Sequence, residues 1–326
     1  MESVTVVVPT YRRPESLGAC LDGLREQSRA PDDVVVVVHE SDDASAAYVR
    51  RRAAGWPGLR SVPVRRHGLV AALNSGLAAA AGTIVAFVDD DAVPVVDWIE
   101  RLVATYERDA RIAAVGGRDV VVTNGKVIEG DELAFLARYR GVPRVGRIQW
   151  FGRMIANHHI GVGAPRDVDV LKGANMSFRR QAVATLGFDE RLRGRGVQMH
   201  SELSICLPLR RRGLRIMYDP RIIVLHYPAP RPHGDHRVGF DREAIVAATH
   251  NECLEVLEHF GAARRIVYAA WGLGIGTMGS PGLLTLGRAL LKRDPDAWRR
   301  FAAAQAGRAA AWRTRRTPRL PLGEAT

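Results

Sequence analysis

The sequence is short of cysteine, and the three cysteines it has are badly placed for cross-linking. Cys20, Cys206 and Cys253 are odd in number and widely separated, and none lies in a CxxC or Cys/His spacing. This pattern argues against a disulfide framework and a zinc site, and it fits a reducing cytosol. The first residues also lack the basic segment and long apolar region of a secretory signal, so we expect the fold to begin at once in a cytoplasmic protein.

Acidic residues are fewer than basic ones, and the excess of positive charge is distributed unevenly along the chain. Lysine and arginine number 47 against 35 aspartates and glutamates, which gives a formal net charge of +12. Residues 292–326 carry nine of the basic residues and three of the acidic ones. Such a basic tail attracts phosphate, anionic lipid or nucleic acid, and charge alone does not choose among them.

Long uncharged stretches are absent, with one exception. Residues 266–287 carry no formal charge and are long enough to cross a bilayer as a helix. Six glycines and Pro281 argue against a continuous span. We therefore expect an interfacial or re-entrant apolar element, flanked by Arg264, Arg265 and Arg288.

Elsewhere, short apolar runs alternate with helical patterns. Five consecutive valines at residues 34–38 suit a strand covered on both faces, whereas Leu17, Cys20, Leu21 and Leu24 have helical spacing. This alternation predicts an α/β protein with a doubly wound, mostly parallel sheet. The predicted strands are residues 4–8, 34–38, 61–64, 83–88 and 222–226, with a loop-to-strand transition at 173–178. The predicted helices are residues 14–27, 44–54, 69–80, 98–106, 180–186 and 203–212.

Two further segments connect these elements. Asn124 and Gly125 lie between two valine-rich stretches and predict a hairpin turn. Residues 131–170 are rich in arginine, glycine and histidine without clean periodicity, which indicates a connection over a cleft.

A run of three aspartates, Asp89-Asp90-Asp91, directly follows the predicted strand at residues 83–88. Ligands of open α/β sheets bind at the carboxyl ends of strands, and alternate residues project to one side, so Asp89 and Asp91 face one site while Asp90 points away. Two converging carboxylates need a cation or a shared proton, and hard oxygen ligands suit Mg²⁺ or Mn²⁺. The alternative is a solvated acidic loop that caps the helix beginning near Asp97.

Six motifs in order give the chain a recognisable resemblance. They are VVVPTYRR at 6–13, Gly68 with Asn74 and Gly76, FVDDDAVP at 87–94, GANMSFRR at 173–180, GFDE at 187–190, and YDP at 218–220 running through to His226. Each motif alone is weak, but together they cover about residues 4–226. The chain resembles the family-2 glycosyltransferases of GT-A fold.

The resemblance implies an inverting, metal-dependent transferase that uses a nucleotide-diphosphate sugar, with a UDP-sugar favoured. Its implied donor site comprises Pro9, Thr10, Tyr11, Arg13, Gly68, Asn74, Asp89 and Asp90. Its implied acceptor site includes Gly173, Ala174 and Asn175. Its implied metal ligands are Asp91 and Asp89, joined by His226, with Mg²⁺ or Mn²⁺ as the cofactor.

The chain departs from the family where an aspartate usually reads the nucleotide base. Here Val38 is followed by His39-Glu40-Ser41-Asp42-Asp43. Glu40 is our first candidate for that hydrogen bond and Asp42 our second. The alternative is a plain polar loop.

A second departure concerns the base that deprotonates the acceptor. The family commonly has a Glu-Asp pair before a helix that ends in a basic turn, and counting back from Gly213 places Ser201-Glu202 there. Glu202 is therefore the predicted catalytic base, since a carboxylate must lie within hydrogen-bond reach of the attacking hydroxyl. The alternative is that Glu202 only caps the helix.

Each of the other polar candidates has an alternative interpretation. His226 ends an apolar strand, where a lone histidine is often only a satisfied core residue. Asn175 follows two small residues and is otherwise a turn residue. Arg231, together with His233, could grip the phosphate of the donor or of a lipid-linked acceptor, because guanidinium matches phosphate oxygens; the alternative is surface charge.

We divide the chain into a GT-A domain at 1–230, a helical and apolar membrane-proximal extension at 231–291, and a basic tail at 292–326. Within the first, residues 1–115 form the nucleotide-sugar half and 116–230 the acceptor half. The expected partners are a nucleotide sugar, a glycan or lipid-linked acceptor, and the inner face of an anionic membrane.

Three rivals remain. A nucleotidyltransferase would need a glycine-rich phosphate loop after the first strand, which the sequence lacks. A nucleic-acid-binding protein would need more aromatics among its basic residues than Trp298, Phe301 and Trp312. A degenerate domain that binds sugar nucleotide without turnover is prompted by the missing Glu-Asp pair.

Overall fold

Strands and helices alternate through the first third of the chain. The computed structural model describes residues 2–123, 126–127, 144–229 and 239–322, and the elements are numbered within those ranges. The strands are β1 (Val4–Thr10), β2 (Asp33–His39), β3 (Leu59–Val64), β4 (Ile84–Val88), β5 (Ala92–Pro94), β6 (Ile112–Thr123), β7 (Lys126–Val127), β8 (Arg147–Ile148), β9 (Met154–Ile155), β10 (Arg166–Asp167), β11 (Asn175–Arg179) and β12 (Arg215–His226). The helices are α1 (Pro14–Arg25), α2 (Asp43–Ala53), α3 (Leu69–Ala79), α4 (Trp98–Tyr106), α5 (Arg180–Val183), α6 (Leu203–Arg211), α7 (Arg242–His259), α8 (Ala262–Gly274), α9 (Leu283–Leu291) and α10 (Ala297–Thr314).

A mixed, mostly parallel sheet forms the centre of the fold. Its strand order is β10-β12-β6-β11-β4-β1-β2-β3, with β5 beside β12 and β7 beside β6. The pairs β1–β2, β2–β3, β1–β4 and β6–β12 are parallel, and β11 runs antiparallel between β4 and β6. The predicted fold class is therefore confirmed.

Two apolar clusters cover the two faces of this sheet. The five valines of β2 alternate between them, so each is buried on one side or the other. Helix α1 packs its apolar stripe on one face and α3 packs on the other. Gly76 allows α3 to approach β1 closely, because a side chain there would collide with Val7. The double winding thus follows from where the apolar residues fall along each element.

The second half of the sheet differs from the sequence prediction in extent. The strand predicted at 222–226 begins earlier, at Arg215, and the helix predicted at 180–186 ends at Val183. Strands β6 and β7 pair antiparallel, as a hairpin requires, although its turn residues Asn124 and Gly125 lie outside the described residues.

The register brings distant residues to one edge of the sheet. Asn175 lies opposite Val88, the last residue of β4, and His226 lies opposite Ala92. The acidic run between Val88 and Ala92 therefore faces residues from β11 and β12.

The apolar segment at 266–287 is divided between two helices. Helix α8 ends at Gly274, and α9 begins at Leu283 after a turn in which Gly276 has φ of +65°. Across residues 2–123, 126–127, 144–229 and 239–322, no helix is both long and apolar enough to cross a bilayer.

The basic segment at 292–326 is largely helical in its described part. Helix α10 packs against α7, where Gly307 approaches the α7 backbone closely. Beyond the helix, the Arg319 guanidinium donates hydrogen bonds to the backbone carbonyls of Leu186, Gly187 and Ser204. Much of this segment is therefore fixed against the domain.

Candidate active site

Two carboxylates and an imidazole converge at the carboxyl end of β4. Asp89 and Asp91 follow that strand, and the pairing of β5 with β12 brings His226 beside them. One side-chain atom of each residue lies within 4.8 Å of those of the other two. His226 Nε2 is 3.4 Å from Asp91 Oδ1. Two oxygens and one imidazole nitrogen form a donor set that suits Mg²⁺ or Mn²⁺, so these residues could hold a divalent cation.

Asp90 lies apart from this cluster and is almost fully buried. It accepts a hydrogen bond from the Thr10 hydroxyl at 2.7 Å, and Arg13 Nη2 lies 3.2 Å from its other oxygen. Burial raises the pKa of Asp90 to about 7, against the opposing effects of Arg13 and Thr10. Asp90 thus fixes the loop after β1, while Asp89 and Asp91 face the common site.

Burial and the neighbouring charges shift the pKa values of Asp89 and Asp91 in opposite directions. Burial and the nearby Asp91 charge raise the pKa of Asp89. For Asp91, burial acts to raise the pKa, but the hydrogen bond and charge of His226 and the Ala229 amide outweigh it, so that pKa is lowered. Arg13 Nη1 also lies 3.1 Å from Asp91 Oδ2. Asp91 is therefore held as a carboxylate among cationic and amide donors.

Asp119 is a further acidic residue at this site, and no sequence motif indicated it. It lies in β6, is buried, and has an oxygen 3.9 Å from His226 Nδ1. Burial alone would lower the pKa of His226, but the Asp119 and Asp91 carboxylates raise it to about 10. The sequence feature that could have indicated Asp119 is an aspartate among the apolar residues of a central strand.

A cleft of about 1070 Å³ adjoins the cluster. Thr10 and Arg13 line it and also contact the acidic run, so they join the two features. Asp89, Asp91 and His226 are not themselves among the lining residues. Pro9 and Gly68 line the cleft as well; Gly68 has φ of +118°, and a side chain there would collide with Gln198.

Three aromatic rings meet in the cleft. His39 and His67 stack with centroids 3.7 Å apart, and Tyr11 meets their edges at 5.7 and 5.9 Å. Such ring faces and edges suit a planar heterocycle, since bases stack on aromatic side chains. The sequence motifs indicated Tyr11 but not the two histidines, which come together because β2 and β3 are neighbours.

Glu40 and Asp42, the two candidates for a hydrogen bond to the nucleotide base, make other contacts. Glu40 forms an exposed ion pair with Arg65 and does not line the cleft. Asp42 is buried at the start of α2, where it accepts hydrogen bonds from the backbone amides of Ser45 and Arg12. Asp42 therefore shapes the loop that carries Tyr11.

Two predicted asparagines are buried in hydrogen-bond networks. Asn74 exchanges hydrogen bonds with the Phe188 backbone and donates to Glu190. Asn175 accepts from Trp98 Nε1 and donates to the carbonyls of Arg118 and Ile222. Asn74 and Asn175 each link a residue of the first half of the domain to residues of the second half.

The remaining predicted residues lie around the second half of the domain. Ala174 is buried, whereas a side chain at Gly173 would meet open space. Glu202 is half-buried at the start of α6, and no hydrogen bond or ion pair of its carboxylate is found in the described ranges. Met199, three residues earlier, lines the cleft. Arg231 lies outside the described residues, as does His233.

Comparison with known proteins identifies the family of the chain. The sequence profile of glycosyl transferase family 2 matches residues 5–186, which is more than half of the chain. The glycosyltransferase AglE of Haloferax volcanii is 30% identical over 117 residues, which cover 35% of this chain and 38% of that protein. The glucosyl-dolichyl phosphate glucuronosyltransferase of the same organism is 28% identical over 236 residues, which cover 68% of each protein.

A solved structure shares the fold. The mannosyltransferase PcManGT from Pyrobaculum calidifontis, determined in complex with GDP-Man and Mn²⁺, superposes with a TM-score of 0.55. The match covers 97% of this chain and 87% of that one at 21% sequence identity, so the likeness is one of fold.

Proposed function

The chain belongs to glycosyl transferase family 2, and from this premise we propose that it transfers a sugar from a nucleotide-diphosphate sugar to a glycan or lipid-linked acceptor, in polysaccharide or cell-envelope glycan synthesis. The proposal rests chiefly on one observation. The Asp89-Asp91-His226 cluster lies at the carboxyl end of β4, beside a cleft that contains an aromatic cluster.

The donor occupies this cleft in our proposal. Its base lies against Tyr11, His39 and His67, and its diphosphate extends toward Thr10 and Arg13. Arg13 links the cleft to the acidic run, and its guanidinium matches phosphate oxygens in shape and charge. We favour a UDP-sugar. The similar mannosyltransferase was solved with GDP-Man, so other bases belong in the test.

Asp89, Asp91 and His226 would hold a divalent cation. Their donor atoms are close enough together and of a suitable kind, and PcManGT was determined with Mn²⁺. Such an ion would offset the negative charge of the departing nucleoside diphosphate. Asp119 would orient the His226 ring from the side away from Asp91.

Glu202 is the proposed catalytic base. Its carboxylate would take the proton from the acceptor hydroxyl as that oxygen attacks the anomeric carbon, while the nucleoside diphosphate leaves from the opposite face. The configuration at that carbon is thereby inverted. A carboxylate without another partner in the described structure is suited to this step, which requires a free acceptor for the proton.

An activity assay tests this function. The intact protein is incubated with UDP-, GDP- and dTDP-sugars, Mn²⁺ and a membrane-lipid extract, and the release of nucleoside diphosphate is measured. We expect turnover of one donor class, and a kcat about 100-fold lower in Glu202→Gln with little change in the donor KM. Glu107→Gln, a change at an exposed helix end, is the control. The function is contradicted if no donor is turned over, and the role of Glu202 is contradicted if both variants match the wild type.

We also propose that the α8–α9 hairpin, residues 262–291, attaches the protein to an anionic membrane. Its exposed apolar side chains are Ile266, Leu273, Ile275, Met278, Leu283, Leu284, Leu290 and Leu291. Basic residues flank them, at Arg264, Arg265, Arg288, Lys292 and Arg293, and no acidic residue lies between Glu258 and Asp294. Exposed apolar surface beside positive charge suits a lipid interface.

Flotation with vesicles tests the attachment. The intact protein should float with phosphatidylglycerol-containing vesicles more than with neutral ones, and high salt should weaken this binding. The double variant Met278→Ser, Leu291→Ser should stay largely at the bottom of the gradient, whereas Leu320→Ser, an exposed leucine elsewhere, should float normally. Absence of flotation at low salt would contradict the proposal.

A further inference from the structure

The cleft is strongly basic beyond the residues assigned to the donor. Among its lining residues are two acidic ones, Asp241 and Glu243, and a larger number of arginines. The lining arginines are Arg13, Arg66, Arg193, Arg195, Arg242 and Arg299. A concave surface with this excess of positive charge concentrates an anionic ligand.

Several of these charges are already compensated. Arg195 pairs with Glu243, and Arg299 binds Asp296 and lies 4.2 Å over the ring of Phe240. Arg13 contacts the acidic run and Arg66 pairs with Glu190. The side chains of Arg193 and Arg242 have no carboxylate partner in the part of the chain that the structure describes.

The backbone that carries Arg193 is firmly held. The buried Asn251 of α7 accepts a hydrogen bond from the Arg193 amide and donates to the carbonyls of Arg193 and Met199. Within the same loop, the Gly196 carbonyl accepts from the Leu69 amide at 2.7 Å. The loop is thus fixed at both ends against α7 and in its middle against α3, which lowers the cost of ordering it around a ligand.

Arg242 is equally well placed. It is the first residue of α7, an 18-residue helix whose start is capped by Asp241 through the Ala244 amide at 3.0 Å. A rigid helix end and a loop held by hydrogen bonds therefore present two guanidinium groups to one cleft, and neither pairs with a carboxylate among the described residues. Guanidinium binds phosphate oxygens with paired N–H donors, and a phosphate can bridge two such groups.

We propose that Arg193 and Arg242 bind the phosphate or diphosphate of a phosphorylated acceptor. The inference rests on the proposed function and names the acceptor class: a phosphate ester, either of a lipid alcohol or of a soluble sugar. The cleft residues assigned to the donor lie at the ends of β1 and β2 and in the loops after β1 and β3, whereas Arg193 lies in the loop at residues 193–199 and Arg242 begins α7. This separation leaves them for the second substrate.

Calorimetric titration of the intact protein tests the proposal. Farnesyl monophosphate, farnesol and glucose 1-phosphate serve as probes, each titrated with and without Mn²⁺ and a saturating nucleoside diphosphate. We expect farnesyl monophosphate to bind in both conditions. In the double variant Arg193→Gln, Arg242→Gln its Kd should rise at least about tenfold, while the nucleotide Kd stays within about twofold. The control is Arg313→Gln, Arg316→Gln, two exposed arginines outside the cleft.

The probes separate the two sources of phosphate. Weak farnesol binding with tight farnesyl monophosphate binding indicates a lipid phosphate, and equal affinity for glucose 1-phosphate indicates a soluble one. The proposal is overturned if the double variant binds farnesyl monophosphate as the wild type does, or if it loses nucleotide affinity in parallel. If no nucleotide binds the wild type, the proposed function fails, and the titrations without nucleotide still decide whether the arginines bind phosphate.

Discussion

Asn175 offers a direct comparison between a role in acceptor binding and a role in folding. Its side chain accepts a buried hydrogen bond from Trp98 Nε1, donates a second buried one to the carbonyl of Ile222, and donates a partly buried one to the carbonyl of Arg118. Asn175→Ala removes all three of these hydrogen bonds. At about 1 kcal/mol for each bond, the free energy of unfolding should fall by about 3 kcal/mol. At about 2 °C per kcal/mol, the Tm should fall by about 6 °C.

Thermal denaturation followed by circular dichroism measures this change. Ser61→Ala is the control, because Ser61 is exposed in β3 and its hydroxyl forms no hydrogen bond with the residues that the structure describes. At a temperature where the variant is folded, its acceptor KM should stay close to that of the wild type. The folding role of Asn175 is refuted if the Tm of Asn175→Ala matches that of Ser61→Ala and the acceptor KM rises, since Asn175 would then bind the acceptor.

Three other changes have defined outcomes. His39→Ala removes the ring stacked on His67, and we expect the nucleotide Kd measured by calorimetry to rise about tenfold, with an unchanged Kd opposing the assignment of the base. Burial and the Asp189 charge raise the pKa of Glu255 well above its usual value of 4.5, so its contribution to stability is present below that pH and is lost as the pH rises. In urea denaturation, Glu255→Gln should therefore gain stability relative to the wild type between pH 5 and 8, by up to about 1.4 kcal/mol per pH unit, and a difference independent of pH would contradict this. Arg319→Gln loses hydrogen bonds to three backbone carbonyls and should lower the unfolding free energy by about 2 kcal/mol, whereas the exposed Arg316→Gln should not; equal stability of the two would show that the C-terminal contact is unimportant.

The sequence predicts the features that depend on local pattern. The valines of β2 and the aspartates after β4 lie within single elements, so the doubly wound sheet and the convergence of Asp89 and Asp91 could be inferred from spacing and resemblance. The arrival of His226 beside Asp91 depends on the β5–β12 pairing, and the resemblance supplied that expectation.

Features that depend on contacts between residues distant in sequence could not be predicted from local pattern. His39 and His67 belong to different strand ends, and Asp119 approaches His226 only because β6 pairs with β12. The resemblance placed Asn74 in the donor site, but its partners at 188 and 190 are set by packing between the two halves of the domain. The excess of basic residues at 292–326 likewise could not show that Arg319 donates hydrogen bonds to backbone carbonyls.

Calorimetric titration with UDP, GDP and dTDP, each with and without Mn²⁺, tests the central claim most directly. Asp91→Asn removes a proposed metal ligand, and Asp43→Asn, at an exposed position in α2, is the matched control. We predict that one nucleotide binds the wild type and Asp43→Asn only with Mn²⁺, and that Asp91→Asn loses this binding. Failure of all three nucleotides to bind, or Mn²⁺-independent binding that survives in Asp91→Asn, would contradict the metal-assisted donor site.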